Sequence, residues 1–337
     1  GKQGDGFKIA MGILNQGRVG LAVACVGAMK SVYQDTIHYA AQRKTFGKPI
    51  HSYEIIQNFI TEMAMNIYAA ESISYFTTGL IDSNDNDYSI EAAICKVYCT
   101  ELGWQTVNMG MQIHGGNGFM KDYGLELKLR DARIGLIFEG TNEILHLFIA
   151  MTGLKEIASQ YQKVGKELQT MQSSNLFDAI NLALSKIGLL SEFAIREVKK
   201  SVFSEKIEGF HYALEKECDR LSSAAKTLSK LSSQLIRKYG KKLIDEQMQM
   251  NRLAKIAINT YLIAAVLSRI NSVLEKHGGV EKNRLELEIA KLIIRNAKTN
   301  INQFVYAIKR NKNKEIKEIA KKLTEENKYP FPISAVK

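Results

Sequence analysis

Residues 15–46, "NQGRVGLAVACVGAMKSVYQDTIHYAAQRKTF", decide the fold class. From Arg18 to Arg43 no proline interrupts the run, and apolar residues recur at three- and four-residue spacing. With Asp5 to Asn15 placed before it, the stretch reads as one helix or two abutting helices. The segment "KTFGKPIHSY" (44–53) closes it, because Gly47 and Pro49 break the pattern. Working outward, Pro49 and Pro330 bracket 280 residues that contain no proline. At average usage about fourteen would be expected there. Helix interiors exclude proline because it removes a backbone donor and clashes with the preceding turn, so the chain is expected to be all-α.

Further helices are expected from Ser52 to about Ile81 with Ser52 as N-cap, from Ser89 to Gln112, and from Asp122 to about Arg133. The polar stretch "DSNDNDYS" (82–89) and the glycine-marked "HGGNGF" (114–119) separate them, and Thr141 is a plausible cap for the next. Beyond Gly153 the texture changes to lysine-rich amphipathic segments, expected at 155–172, 175–202, 205–238, 241–276, 283–309 and 312–327. Two domains follow: residues 1–153, a helical bundle with two irregular segments, and residues 154–337, a second, basic helical domain.

Charge divides the same way. Residues 1–150 hold 12 Lys+Arg against 15 Asp+Glu, and 151–337 hold 34 against 20. The basic half would suit an anionic lipid surface, a nucleic acid or an acidic protein, but lysines dispersed over solvated helix faces explain it as well. No nucleic-acid-binding motif accompanies it, so no nucleic-acid partner is expected. The longest apolar run, Val19 to Met29, is about half of a bilayer span. No leader pattern is visible at Gly1, and the chain reads as a piece of a longer one. Four cysteines without a CxxC pair fit a reducing compartment. Cys95 and Cys99 read as packed thiols, and no metal site is expected.

Two motif readings of "HGGNGF" fail. A dinucleotide fingerprint needs glycine where Lys121 stands and a preceding strand; a hydrolase oxyanion loop needs a G-x-S-x-G elbow, which is absent. Arg43 and Lys44 are either favourable charge at a helix end or an anion clamp. In "IFEGTNEILHLF" (137–148), Glu139 follows three apolar residues and precedes Gly-Thr-Asn. By itself it is either a glutamate on a surface turn or a proton-abstracting base at an apolar wall.

Three segments together carry a resemblance: the helix quoted above, "RKTFGKPI" (43–50), and "QIHGGNGFMKDYGLELKLRDARIGLIFEGTNEI" (112–144). In order and spacing they resemble the carboxy-terminal helical domain of the acyl-CoA dehydrogenases, over about residues 1–152. The continuation "LFIAMTGLKEIASQ" (147–160) and the further helical length resemble the branch that comprises very-long-chain acyl-CoA dehydrogenase and acyl-CoA dehydrogenase family member nine.

The resemblance implies flavin-dependent α,β-dehydrogenation of a long-chain acyl-CoA in fatty acid β-oxidation. FAD is the cofactor, electron-transfer flavoprotein the electron acceptor, and a homodimer the assembly. Glu139 matches the catalytic base. The alternative base of some family members would stand at Gly17, so Glu139 is the only matching candidate. Arg43, Thr45 and Phe46 match a loop that reaches the FAD of the neighbouring subunit. Gln112, Gly115 and Gly116 match the turn against the cofactor's diphosphate and adenosine, and Thr141 and Glu143 match positions that touch it beyond the base. Arg18 and Gly140 fall on the substrate side, and His114 is expected to be a spacer.

The family's amino-terminal helical domain and β-domain would precede Gly1, so the polypeptide alone is not expected to turn over substrate. The resemblance also implies a mitochondrial matrix or inner-membrane location if the source is eukaryotic, and a bacterial cytoplasm otherwise. Two other readings attach to residues 154–337: a non-enzymatic scaffold for respiratory complex I assembly, and peripheral membrane contact through the basic 306–323.

Overall fold

The computed structural model describes residues 1–83, 87–154 and 209–331. Its first element, α1, is one continuous helix, Gly6–Gln42. Val19, Ala22, Val26, Met29, Val32, Thr36 and Ala40 are buried at spacings of three or four, which is the stripe a helix turns toward a core. A two-residue hairpin follows instead of an irregular loop. Strand β1 (Lys44–Thr45) pairs antiparallel with β2 (Lys48–Pro49), Lys44 opposite Pro49. Both residues at its tip have positive φ, Phe46 at 49° and Gly47 at 83°, the geometry whose twist suits a tight hairpin.

Helix α2 spans Glu54–Asp82 and α3 Ser89–His114. Ser52 does not cap α2: its hydroxyl donates to Pro49 O at 2.7 Å inside a 3-10 turn, and Tyr53 takes the cap position without a side-chain hydrogen bond. Short α4 (Gly116–Phe119) and α5 (Leu125–Gly135) follow. The start of α5 lies three residues beyond the expected Asp122, because Lys121–Tyr123 form a 3-10 turn closed by left-handed Gly124. Helix α6 is Asn142–Leu154, capped as expected by Thr141, whose hydroxyl accepts from Ile144 N at 3.4 Å.

Helices α1 and α3 lie parallel and unusually close. A Cβ at Gly110 would stand 2.5 Å from Val32 Cγ1, and one at Gly103 would stand 3.5 Å from Cys25 Cβ. These mid-helix glycines forgo some helix propensity and gain backbone approach. Helix α2 runs antiparallel to α3, with Asn66 bonded to Thr106 and Cys99 to Ala70 O.

In the second half the described helices are α7 (Glu215–Tyr239), α8 (Gln247–Lys276), α9 (Gly279–Lys282), α10 (Arg284–Lys309) and α11 (Asn313–Glu326). The segments expected at 155–172 and 175–202 lie outside the described residues. One cluster of buried side chains runs from Ala22 and Met29 through Ile73 and Val97 to Ile263, Ile270 and Ile294. Among the described residues two helices, α1 and α8, are long and apolar enough to cross a membrane. The apolar window of α8 is mostly buried in that shared core.

Arg269 of α8 pins the two halves. It stacks 3.9 Å from the Tyr68 ring centroid, donates to Glu71 Oε2 at 3.0 Å, and stands 3.6 Å from Glu286 of α10. Burial alone would raise the pKa of Glu71, but hydrogen bonds from Lys30 and Arg269 more than offset it, and the net shift is downward. The pair therefore contributes stability above the ordinary carboxylate range that is lost as pH falls through the depressed value. Arg269→Met is expected to destabilise the protein by about 1–3 kcal/mol, read as a lower urea midpoint at neutral pH.

Candidate active site

The end of α5 runs through the apolar stretch Leu136–Phe138 into a turn that reverses direction at Glu139 and Gly140. Both have positive φ, 59° and 95°. That is ordinary for glycine and costly for glutamate, so surrounding contacts have to hold it. They come from three helices. Arg18 of α1, only 6% exposed, donates from Nε to Glu139 O at 3.2 Å and from Nη1 to Asn15 Oδ1 at 2.9 Å. Its guanidinium lies 5.8 Å from the Phe148 ring of α6. Burial lowers the Arg18 pKa and the charge of Glu139 partly restores it. Lys96 of α3, fully buried, donates to Gly140 O at 2.8 Å and to Asn142 Oδ1 at 2.7 Å. Asn142 in turn bonds to Thr100 Oγ1 at 3.1 Å.

The Glu139 side chain folds back onto α1. A Cβ built on Gly17 would meet Oε1 at 3.0 Å and both Cδ and Oε2 at 3.1 Å, so the carboxylate occupies space that any other residue at 17 would fill. Oε2 is buried and has no hydrogen-bond partner among the described residues. Ile13 and Leu14, one helical turn before Gly17, are exposed, as are Ile137 and Phe138 beside the carboxylate. The arrangement is a carboxylate with an unsatisfied acceptor bordered by open apolar surface. It can take a proton from a carbon acid whose apolar remainder lies along that surface.

The other candidate residues separate into two groups. Thr141 and Glu143 start α6 beside Glu139, with Thr141 committed to the cap and Glu143 exposed. Arg43, Thr45, Phe46, Gln112, Gly115 and Gly116 gather at the opposite end of α1. There Tyr39 stacks on His114 at 4.1 Å and donates to His114 O at 3.2 Å, while Asn117 Nδ2 donates to the Tyr39 hydroxyl oxygen at 3.0 Å. His114 is buried, and its Nδ1–H donates to Gly110 O at 2.7 Å, which fits the expected spacer role. The two groups do not meet. At about 1.5 Å rise per residue, Arg18 and Arg43 are separated by about 37 Å along one helix.

The far group is open to solvent. Gly115 and Gly116 are exposed, and a Cβ on either would meet nothing within 4 Å. Phe46 is 98% exposed at the hairpin tip, with Tyr53 OH donating to Thr45 O at 2.7 Å beneath it. Arg43 is exposed and has no ion pair among the described residues. Gly118 shapes the turn from behind, since a Cβ there would stand 2.5 Å from Met111 O.

Gly17 as the seat of the carboxylate, Lys96, Asn142 and Gly118 were not marked as site residues by motif matching. Lys96 had a signal: it is the one charged residue in the otherwise uncharged run from Ala92 to Thr100.

Residues 4–154 match the family described as "Acyl-CoA dehydrogenase, C-terminal domain", and residues 212–329 match "ACAD9/ACADV, C-terminal domain". The chain is 36% identical over 290 residues to the very long-chain specific acyl-CoA dehydrogenase, mitochondrial, of Bos taurus, covering 85% of this chain and 42% of that protein. The protein of the same name from Homo sapiens is 34% identical over the same extent. Thus the chain spans less than half the length of these relatives. A crystal structure of an acyl-CoA dehydrogenase complexed with FAD from Bacillus anthracis superposes with a TM-score of 0.73 at 27% identity, covering 98% of this chain and 55% of that one. The chain belongs to the acyl-CoA dehydrogenase family, in the branch that carries the ACAD9/ACADV C-terminal domain.

Proposed function

We propose that this chain carries the base and part of the cofactor contacts of an FAD-dependent dehydrogenase acting on long-chain acyl-CoA thioesters. The observation that carries the proposal is the Glu139 carboxylate, seated on Gly17 with one buried oxygen unpartnered, beside exposed apolar surface. The name of the bovine relative supports long acyl chains, and the FAD in the Bacillus anthracis structure supports the cofactor.

The α C–H bond of the thioester breaks, its proton passes to Glu139, and the bonding pair becomes the α,β double bond. FAD, when bound, supplies the acceptor for the β-hydrogen, which leaves as hydride. Gly17 keeps the space the carboxylate needs. The apolar wall keeps water from the carbon acid, and Arg18 holds the backbone carbonyl of Glu139.

The open Gly115–Gly116 turn, with Arg43, Thr45, Phe46 and Gln112 near it, fits the phosphate and adenosine end of a dinucleotide: small backbone, a free cation and an exposed ring. Thr141 and Glu143 lie on the flavin side with Glu139. About 37 Å between the groups exceeds an extended flavin dinucleotide, so one cofactor draws the two groups from different subunits. A homodimer follows. The same reading assigns residues 1–153 as the catalytic helical domain and 154–337 as an appended one. It places electron-transfer flavoprotein as electron acceptor, and the mitochondrial names of the relatives favour a mitochondrial location for a eukaryotic source.

Anaerobic mixing of the full-length, FAD-loaded protein with palmitoyl-CoA is expected to bleach the flavin within one turnover. Absence of bleaching with acyl-CoAs from four to twenty carbons would refute the assignment. Gly17→Ala separates site from fold. Alanine favours a helix by up to about 1 kcal/mol over glycine, yet its Cβ displaces the carboxylate. The variant is expected to melt no lower than wild type while kcat drops about tenfold or more.

A further inference from the structure

Lys96 is a fully buried lysine with no ion pair among the described residues, and the proposed chemistry gives it no step. Burying an ammonium is costly, and an apolar residue would fill the slot at less expense unless its donors are required. Both of its acceptors belong to the turn that follows the base: Gly140 O at 2.8 Å and Asn142 Oδ1 at 2.7 Å. Arg18 of α1 holds the preceding carbonyl, Glu139 O. Two successive carbonyls in a left-handed stretch therefore end on two buried cations from different helices, a clamp that fixes which way the Glu139 side chain leaves the backbone.

We infer that Lys96 is a positioning residue for Glu139: its hydrogen bonds to Gly140 and Asn142 hold the strained turn that sets the carboxylate over Gly17. The inference rests on reading Glu139 as the base. It does not rest on the cofactor contacts: Lys96 donates to Gly140 and Asn142, not to Thr141 or Glu143, although the Glu143 charge acts on it.

Burial and the Arg18 charge push the Lys96 pKa down to about 8, while Cys25 of α1, Glu143 of α6 and Glu101 of its own helix work in the opposite direction. The ammonium is thus retained at neutral pH, where its charge-assisted hydrogen bonds are stronger than those of a neutral amine.

The test is proton removal alone. An acyl-CoA analogue with sulfur at the β-position can lose its α-proton but has no β-hydrogen to give. Deuterium wash-in at its α-carbon reports the base without hydride transfer. In the full-length, FAD-loaded protein at pH 7, K96M is expected to exchange about 10- to 100-fold more slowly than wild type, with the analogue's Kd within twofold. K96Q fills most of the slot but is one bond short, and is expected to lose about three- to tenfold; it serves should K96M not fold. E139Q is the reference and is expected to show no exchange above solvent. Wild-type exchange in K96Q or a folded K96M, with none in E139Q, overturns the role of Lys96 and leaves the base in place. Wild-type exchange in E139Q overturns the reading on which the inference rests.

Discussion

Glu139→Gln is expected to slow flavin reduction by a long-chain acyl-CoA about 10²- to 10⁴-fold, the range a positioned general base contributes. The amide is nearly isosteric and should occupy the same space over Gly17. The contacts that hold the turn use backbone atoms and neighbours: Arg18 to Glu139 O, Lys96 to Gly140 O and Asn142. None involves the carboxylate, so the fold and thioester binding should survive. What disappears is a group that can accept the α-proton. Anaerobic stopped-flow mixing separates the two consequences: the amplitude of substrate binding stays while the rate of bleaching falls. A mutant that bleaches within threefold of wild type would remove Glu139 from the chemistry.

Acid destabilisation through His146 is the second large effect. His146 on α6 is 4% exposed, its Nε2 has no hydrogen-bond partner among the described residues, and Glu101 Oε1 stands 3.8 Å away. Burial first, then the charge of Lys255, depress its pKa from 6.5 to about 4. Between those values the unfolded chain binds a proton that the folded chain refuses, so stability falls as pH falls through that window. The loss amounts to about 3 kcal/mol. Glu101, its own pKa raised by burial, opposes this nearer the carboxylate range, which is why the comparison is made by mutation. Urea unfolding of His146→Leu is expected to lose little stability between pH 6.5 and 5, where wild type declines. Parallel curves for the two proteins would contradict the assignment.

The helices were legible because their signals are local. The proline-free run and the three-four spacing of Val19, Ala22, Val26 and Met29 specify α1 from neighbours along the chain. The hairpin was missed because "KTFGKP" has a bulky residue, Phe46, at a position with φ of 49°, where propensity favours glycine or asparagine. The start of α2 was misread because a serine before an apolar run is a cap only if the backbone reaches it extended; Ser52 instead closes a 3-10 turn. Glu139 was legible as a candidate from its apolar frame and the Gly-Thr-Asn that follows. Gly17 and Lys96 were not, since they sit 122 and 43 residues away in sequence and meet the turn only through the parallel packing of α1 on α3. The distance of about 37 Å between the two groups of candidate residues also needed the structure. Motif order along a chain does not tell that α1 is one unbroken rod.

The most direct measurement is a crystal structure of the full-length protein with FAD and a slowly reacting acyl-CoA analogue. The account predicts a Glu139 carboxylate oxygen within about 3–3.5 Å of the α-carbon, still resting on Gly17, with the acyl chain along Ile13, Leu14 and Phe138. A thioester bound elsewhere, or a Glu139 side chain turned away from Gly17 into solvent, would contradict it.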